Sequence, residues 1–246
     1  EGNNIIIGSR QKPICSVPEM NFGNMPAEGG EYLFTNDEKE QFIKEEPGAS
    51  SYFKEIISAH EFLNGKKRFC LWLEDISPTE LKTLPKIYNR VQNVREIRLK
   101  SSRPFLADTP TLFAQITQPK NKPVLAIPRH SSENRKIIPM GLFGPEYKVH
   151  DSCMCIADAT MYHFGVLQSE THMTWVRYTC GRIKSDFRYS KDIVYNNYPW
   201  PEEPTEKQKK SVEEAAQAVL DARAQFTDSS LADLYDPNTM PPVLVK

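Results

Sequence analysis

The sequence predicts an α+β fold, with mixed or antiparallel sheets, flanking helices and a long helix at its C-terminal end. Across residues 1 to about 200, short runs rich in β-branched and aromatic residues alternate with amphipathic segments. Proline, glycine and asparagine separate most of these runs, as in proteins built from short strands and turns. Beyond Pro204 the sequence is rich in Ala, Glu, Gln and Lys, which favour a helix.

The first third of the chain predicts short strands around one capped helix. The segments NNIIIG and EYLFT are predicted as strands, separated by a Pro/Gly-rich connection. Asn36 is a candidate N-cap for the helix DEKEQFIKEE, which Pro47 and Gly48 end. The segment SSYFKEIIS predicts further amphipathic helical turns. An Asn-Gly turn at residues 64–65 then precedes the predicted strand RFCLWLED.

The middle of the chain predicts two helices and then a series of strands. Ser77 opens the first helix and Pro85 the second, in which an apolar stripe faces basic residues: Ile87, Val91, Val94 and Leu99 against Arg90, Arg95, Arg98 and Lys100. Predicted strands follow at LFAQIT, VLAIP, KIIP and KVHDSCMCIAD. The segment ATMYHFGVLQSETHMTWVRYT has a helical period with a break near Ser169, and DIVYNN predicts a last strand.

The clearest helix in the sequence is TEKQKKSVEEAAQAVLDARAQF. Good helix formers fill it, and its apolar residues recur at helical spacing. The stripe consists of Val212, Ala215, Ala216, Val219, Leu220 and Ala222. One face of this helix is therefore expected to pack against the preceding domain.

The composition is typical of a soluble globular protein: 246 residues, of which 39% are hydrophobic and 26% charged. No apolar run is long enough for a membrane helix, so no membrane partner is expected, and no signal peptide opens the chain. Because the sequence starts at Glu1 without a methionine, we expect a piece of a longer protein. The five cysteines lack a CxxC motif, and they indicate a reducing, cytoplasmic location without structural disulfides.

The net charge of −1 conceals a division along the chain. Residues 1–60 hold ten acidic against five basic residues, whereas residues 86–136 hold eleven basic against three acidic. Residues 173–191 add five basic residues and one acidic residue, and the segment from Glu202 onward holds nine acidic against five basic. A basic middle between acidic ends indicates one cationic face for a polyanion. The alternative is a solvated surface on which neighbouring charges pair.

The sequence predicts no catalytic residue and no metal ligand set. His150, His163 and His172 lack the spacing of a metal site, and no GxSxG, GxGxxG or Walker lysine occurs. The segment PEYK at 145–148 supplies a Glu-x-Lys, with Asp108 as a distant acid. A metal-dependent nuclease is therefore kept as a minor alternative.

The most unusual stretch is GRIKSDFRYSKDIVYNNYPWP at residues 181–201. If RIKSDFRYS is one extended strand, its charged residues share a face, with Ile183 and Phe187 on the other: Arg182, Lys184, Asp186 and Arg188. A lysine donates to guanine O6 and N7 in the major groove, whereas an aspartate accepts from cytosine N4. Lys184 and Asp186 are therefore candidates to read one G·C pair, and Arg188 a second guanine or a phosphate. An ordinary surface strand is the alternative.

Four ordered segments carry a family resemblance: KPVLAIPRHSSENRKIIPMGLFG, MYHFGVLQSETHMTWVR, CGRIKSDFRYS and IVYNNYPWP. They resemble the target recognition domain of MmeI-like (YeeA-like) adenine-specific DNA methyltransferases, many of which combine restriction and modification. In that family the segment that matches KSDFR is associated with base choice. Members commonly carry Glu and Arg where this sequence has Lys184 and Asp186, followed by the arginine matched by Arg188. The reversed charges imply G where those members read C.

The resemblance also implies a second base-choice region at Asp151 and Ser152. It implies three parts of the chain: an N-terminal α/β lead-in packed on the recognition domain (1–66), a DNA target recognition domain (67–201), and a helical appendage that begins a truncated C-terminal helical segment (202–246). The family's S-adenosylmethionine loop and Asn-Pro-Pro-aromatic motif are absent. The chain is thus expected to be non-catalytic and without a cofactor, with the S-adenosylmethionine-dependent transferase and any nuclease upstream.

The expected partners are double-stranded DNA and the methyltransferase module of the same parent chain. Basic side chains are the candidates for phosphate contacts: Lys120, Lys122, Arg129, Arg135, Lys136, Arg182 and Lys191. Tyr198 and Trp200 are expected to form a buried aromatic plug behind the charged stretch. The second hypothesis is a scaffold whose acidic N-terminal part and tail helix dock the transferase, with little DNA affinity of its own.

Overall fold

Residues 6–245 are described by a computed structural model, in which the strands form three small sheets. The first sheet is antiparallel and has the order β1 (Met20–Phe22), β9 (Cys153–Ala157), β5 (Val124–Pro128) and β7 (Gly141–Phe143). β5 and β9 lie in its centre, and every residue of β5 is buried, because both faces of the strand are covered. β5 therefore provides a rigid support for the segments at its two ends.

The second sheet combines strands from distant parts of the sequence. Its order is β2 (Leu33–Phe34), β4 (Phe69–Leu71), β3 (Phe53–Ile57) and β8 (Lys148–Val149), and β3 and β8 pair in parallel. The third sheet consists of β10 (Gly181–Ile183), β11 (Asp186–Arg188) and β6 (His130–Ser131). The N-terminal 66 residues thus share a sheet with the segments that follow them.

Nine α-helices lie in the described residues. In chain order they are α1 (Asn36–Glu45), α2 (Ala59–Leu63), α3 (Pro78–Lys82), α4 (Pro85–Leu99), α5 (Met161–Leu167), α6 (Glu170–Thr179), α7 (Glu206–Ala224), α8 (Leu231–Leu234) and α9 (Pro242–Val245). Two 3₁₀ segments (Pro47–Tyr52 and Pro104–Asp108) and one π-helical turn (Lys191–Tyr195) complete the regular structure. No helix within residues 6–245 combines the length and apolar character needed to cross a bilayer.

Two large hydrophobic cores and a smaller cluster around Val124, Val149 and Cys155 hold these layers together. The larger core lies between the first sheet and α5, α6 and α7, and it includes Phe164, Phe187 and Trp200. The other lies between the second sheet and the helices α1 and α4, and Tyr32 and Ile87 are at its centre. Cys153 and Cys155 are buried as expected, and all five cysteines are free thiols.

Most predicted helices and several strands are confirmed. EYLFT contains β2, RFCLWLED contains β4, VLAIP is β5, and the helix break falls at Ser169, which caps α6. Ser77 caps α3 as predicted. α1 begins one residue earlier than expected: Thr35 is the N-cap, and it forms a capping box with Glu38.

Other predicted elements were wrong for identifiable reasons. SSYFKEIIS is helical only in its first three residues, which end the 3₁₀ segment at Tyr52. From Phe53 it forms β3, because β4 and β8 pair with it on both sides. DIVYNN is a π-helical turn rather than a strand, and LFAQIT and KIIP form no strand. KVHDSCMCIAD contains two strands, β8 and β9, with a turn between them. NNIIIG lies partly outside the described residues, and positions 6–8 have no regular structure.

The C-terminal helix α7 lies directly against α5. Val212, Val219 and Leu220 pack on the larger core, and Ala216 is buried there, whereas Ala215 of the predicted stripe is exposed. The guanidinium of Arg223 donates to the Met140 carbonyl and to Gln168 Oε1, both at 2.8 Å. These contacts hold the C-terminal segment on the preceding part of the chain.

Replacing Gly165 by valine is expected to push α7 away from α5. A Cβ at Gly165 would lie 2.7 Å from Val212 Cγ1 and 3.0 Å from the Val212 carbonyl oxygen. We expect the free energy of unfolding to fall by about 2 kcal/mol, as in other overpacked cores, and proteolysis in α7 to accelerate. Gly8→Val is the control, because no atom lies within 4 Å of a Cβ at Gly8. Unchanged urea denaturation of Gly165→Val would contradict the close packing.

Candidate nucleic-acid interface

The charged stretch after residue 180 folds back on itself as a β-hairpin. β10 and β11 pair antiparallel, with Gly181 opposite Arg188 and Ile183 opposite Asp186. Lys184 and Ser185 form the two-residue turn, and every residue from 181 to 186 is exposed. The interpretation of RIKSDFRYS as one extended strand was therefore wrong, because the chain reverses direction at this turn.

The register of the hairpin places the charged residues on two faces. Cross-strand partners share a face of an antiparallel ribbon, so Ile183 and Asp186 lie on the same face as Arg188. Arg182 lies opposite Phe187 on the other face, with its guanidinium 3.8 Å from the centroid of the ring. The expectation that all four charged residues share one face, with Ile183 and Phe187 on the other, was wrong for Arg182 and for Ile183.

The turn itself is held in an unusual backbone conformation. Lys184 has a φ of 54°, in the left-handed region that favours glycine or asparagine. Arg182 closes the turn by donating from Nη1 to the Ser185 carbonyl at 2.9 Å. A lysine at such a position departs from local preference, and departures of this kind occur most often at functional sites.

A cluster of buried aromatic side chains supports the hairpin. Phe187 and Tyr189 are buried, and the Tyr189 hydroxyl lies 2.9 Å from His172 Nε2. Burial lowers the pKa of His172 to about 3, so this imidazole stays neutral at physiological pH. The ring of His172 packs edge-on against Tyr198 at 4.6 Å, and Tyr198 packs against Trp200 at 5.7 Å. The predicted plug of Tyr198 and Trp200 is confirmed, since both are buried behind the hairpin.

The loop PRHSSENRK at 128–136 lies beside the hairpin. It contains β6, whose Ser131 pairs with Phe187 of β11. The backbone N–H of Glu133 donates to Asp186 Oδ1 at 3.2 Å, which holds the carboxylate at the edge of the hairpin. Ser131 is buried, whereas Glu133 and Asn134 are exposed. The loop and the hairpin therefore form one continuous surface.

Arg135 lies beneath this loop rather than on top of it. Its Nη1 donates to Ser131 Oγ at 3.2 Å, and its buried Nε has no hydrogen-bond partner among the described residues. Burial lowers the pKa of Arg135, and the neighbouring carboxylates of Asp186 and Asp236 oppose that shift. The guanidinium is therefore close to Asp186 and less exposed than the sequence suggested.

The structure brings the second predicted base-choice region next to the hairpin. Asp151 and Ser152 form the turn between β8 and β9, and Ser152 Oγ accepts from the Ala59 N–H at 3.0 Å. Arg129 joins the two regions: its Nη1 donates to the Asp151 carbonyl at 3.0 Å, while its own carbonyl accepts from the Tyr189 N–H at 2.8 Å. Arg129 is thus engaged with protein atoms.

Lys120 and Lys122 lie at the opposite end of β5 from the hairpin. Lys120 binds Asp75 at 2.7 Å, and this hydrogen bond raises the pKa of Lys120. Lys122 forms an ion pair with Asp158. β5 is five residues long, so about 13 Å separates its ends, and these two lysines lie beyond the end that is remote from the hairpin.

The remaining phosphate candidates differ in their surroundings. Lys136 is exposed, and among the described residues its ammonium forms no ion pair; its carbonyl accepts from Arg177 Nη2 at 2.8 Å. Lys191 is half-buried, with its ammonium 3.9 Å from Asp192 Oδ1. Of these two lysines, Lys136 is consequently the more available to bind a phosphate.

Two arginines of α4 do not belong to a cationic face at all. Arg98 is 2% exposed and donates only to backbone carbonyls, so its predicted surface position was wrong. Arg90 donates to the Glu31 carbonyl and lies over the ring of Phe34 at 4.6 Å. The stripe position Leu99 is 51% exposed, and Arg98 takes the buried place beside it. The 3.6-residue period places position 98 on the same face as Val91 and Val94, which was the missed signal.

A metal-dependent active site has no support in the described residues. Among them, no group of three His, Cys, Asp or Glu side chains is placed to hold a metal ion. Lys148 of the PEYK segment is buried, its Nζ lies 4.7 Å from the Trp72 ring, and burial lowers its pKa. His163 binds Thr160 in a helix cap. These side chains have structural roles.

Comparison with known proteins agrees with this geometry. The family model "MmeI, target recognition domain" matches residues 1–202, and "MmeI, C-terminal domain" matches residues 204–246. The chain is 41% identical over 244 residues to DNA methyltransferase A of Bacillus subtilis (strain 168), covering 98% of this chain and 27% of that protein. A solved structure of the Type IIL restriction-modification enzyme MmeI in complex with DNA superposes with a TM-score of 0.95 at 42% identity, covering 99% of this chain and 33% of that one.

Proposed function

Because the chain belongs to the family of MmeI target recognition domains, with residues 204–246 in the family of MmeI C-terminal domains, we propose that it reads the sequence of double-stranded DNA for a larger enzyme. That enzyme is an adenine-specific DNA methyltransferase or a combined restriction-modification enzyme. The chain spans 27% of the methyltransferase and 33% of the MmeI chain that it resembles, so the proposed catalytic modules lie elsewhere in the parent protein.

One observation carries the proposal: an exposed two-stranded ribbon presents an acidic and a basic residue on one face, and buried aromatic residues support it rigidly from below. Asp186 and Arg188 are both exposed on this face, while Phe187 between them is buried. The major groove of B-DNA admits a two-stranded β-ribbon. The hairpin therefore enters the groove with its side chains already oriented.

The chemistry of recognition follows from donor and acceptor types. Asp186 accepts from cytosine N4, and Lys184 at the tip donates to the guanine of the same base pair. Arg188, one step further from the tip, donates to a second guanine or to a phosphate. The neighbouring turn at Asp151 and Ser152 contributes to a further position, since Arg129 links it to the hairpin.

Phosphate contacts surround this ribbon in the proposal. Lys136 on the adjoining loop is the strongest candidate, because it is exposed and unpaired in the described part of the chain. Arg129, Arg135, Arg182 and Lys191 lie close to the hairpin but are partly engaged with protein atoms. Lys120 and Lys122 are the weakest candidates, because each is paired with a carboxylate away from the hairpin.

The chain itself is proposed to be non-catalytic. S-adenosylmethionine would bind the methyltransferase module of the parent chain, whose contacts with this domain fix the distance between the recognition site and the methylated adenine. A cytoplasmic location is proposed on the same basis, as the place where such an enzyme meets cellular DNA.

The test is binding of this chain to a pool of random-sequence duplexes at two salt concentrations. We expect salt-sensitive binding and an enriched motif with a fixed G. Lys136→Gln should weaken binding to all sequences about equally and reduce the salt slope by about one. Lys122→Gln is the matched control, because Asp158 already neutralises that lysine, and it should change the slope by less.

The outcomes separate the hypotheses. Binding without an enriched motif would leave a general DNA-binding surface and contradict base reading. Absence of binding at low salt would favour the scaffold hypothesis, in which the domain docks the methyltransferase and has little DNA affinity of its own.

A further inference from the structure

Ile183 is an exposed isoleucine on the same hairpin face as the proposed base-reading residues. It is 44% exposed, next to the Lys184–Ser185 turn. Single exposed apolar residues are ordinary on protein surfaces, so exposure alone carries no meaning. The position of Ile183 is informative, because the hairpin packs its other face on the core through Phe187 and leaves Ile183 without a core contact.

The register fixes what Ile183 can reach. Ile183 is directly opposite Asp186, so the two Cβ atoms lie about 5 Å apart on one face of the ribbon. Behind them, Gly181 is opposite Arg188, and no atom lies within 4 Å of the place where a Gly181 Cβ would be. A base edge that approaches Asp186 therefore also approaches Ile183, with no larger side chain on β10 in the way.

The edge of a pyrimidine explains the pairing of an acid with an isoleucine. In the major groove, cytosine presents its N4 amino group, and the adjacent ring atom C5 carries a hydrogen in cytosine and a methyl group in thymine. An aspartate at N4 therefore places its apolar neighbour against C5 of the same pyrimidine or of the next one along the groove. A C5-methyl group is the part of the groove edge that apolar side chains recognise.

We propose that Ile183 is a further specificity-determining residue, which contacts the C5-methyl group of a thymine or a 5-methylcytosine next to the position that Asp186 reads. The inference rests on the proposed function and deepens it. It adds one position to the recognition site and makes DNA binding sensitive to pyrimidine methylation at that position.

The test uses the whole chain and the duplex enriched from the random pool. Each thymine is replaced in turn by deoxyuridine, which lacks only the methyl group, and each cytosine by 5-methylcytosine. At one pyrimidine beside the base pair read by Asp186, we expect the duplex with the unmethylated base to bind about fourfold more weakly. Burial of one methyl group contributes about that factor to the affinity. In Ile183→Ser the two bases should bind equally.

Leu99→Ala is the matched control, because Leu99 is an exposed aliphatic residue on α4, away from the hairpin, and the variant should keep the methyl preference. A methyl preference that persists in Ile183→Ser would overturn the inference, as would the absence of any methyl preference in the unmodified chain. If no motif is enriched at all, the proposed function fails and this inference with it. If a motif is enriched without methyl sensitivity, this inference fails alone.

Discussion

Replacing Arg98 by methionine is expected to lower the free energy of unfolding by about 4 kcal/mol. The side chain is buried, and its five N–H donors reach five backbone carbonyls at 2.7–3.1 Å: those of Pro26, Ala27, Leu106, Thr109 and Leu112. Within the described residues, the carbonyls of Ala27 and Leu112 accept from no other donor, so the substitution leaves these half-buried groups unsatisfied.

The reason for the size of the effect is the shape of the guanidinium. It ties α4 to the loop at Pro26 and Ala27 and to the 3₁₀ segment Pro104–Asp108 with the loop that follows it. Burial lowers the pKa of Arg98 without removing the charge, which arginine keeps at any pH where the protein folds. Lysine has a point charge and three donors, so Arg98→Lys should also destabilise the fold substantially.

Urea denaturation followed by circular dichroism measures the change. Arg95→Met is the control, because Arg95 is exposed on the same helix, and it should alter the stability by less than about 0.5 kcal/mol. Equal stabilities of Arg98→Met and Arg95→Met would show that the five carbonyls find other donors at little cost.

Exchanging the charges at the hairpin tip is expected to change the base that the parent enzyme prefers. Lys184→Glu together with Asp186→Arg reverses the donor and the acceptor, so the preferred pair at one position should turn from G·C to C·G. One well-placed pair of this kind is worth about 1–3 kcal/mol, which corresponds to a change in preference of about 5-fold to 150-fold.

The structure also predicts that each single substitution fails to switch the preference. Lys184→Glu alone leaves two acids beside one base pair. Asp186→Arg alone leaves two cations beside one base pair and no acceptor for cytosine N4. Both single variants should therefore bind weakly to either base, and only the double variant should regain binding.

The measurement is the methylated sequence motif of the intact enzyme, read from modified genomic DNA. Exchange of the exposed ion pair on α7, Lys210→Glu with Glu214→Lys, is the matched control and should leave the motif unchanged. A double variant that methylates the original motif would remove Lys184 and Asp186 from base reading.

The sequence by itself determined the fold class, the helices with clear caps and periods, and the family. The local signals were Ser77, Ser169 and the Ala-rich period after Thr205. Predictions from such signals hold in the structure because capping and helix propensity depend on a few neighbouring residues. The role of KSDFR in base choice is a prediction from the family resemblance, and such a resemblance likewise depends only on the residue types along the chain.

Only the tertiary structure decided which charges face outward together. Whether Arg98 lies on a surface or binds carbonyls, and whether Lys122 is free or paired with Asp158, depends on segments distant in sequence. The turn at Lys184 likewise divides Arg182 from Asp186, although they alternate in the sequence. Charge can be counted along a chain, but its availability is set by the partners that folding brings within hydrogen-bonding distance.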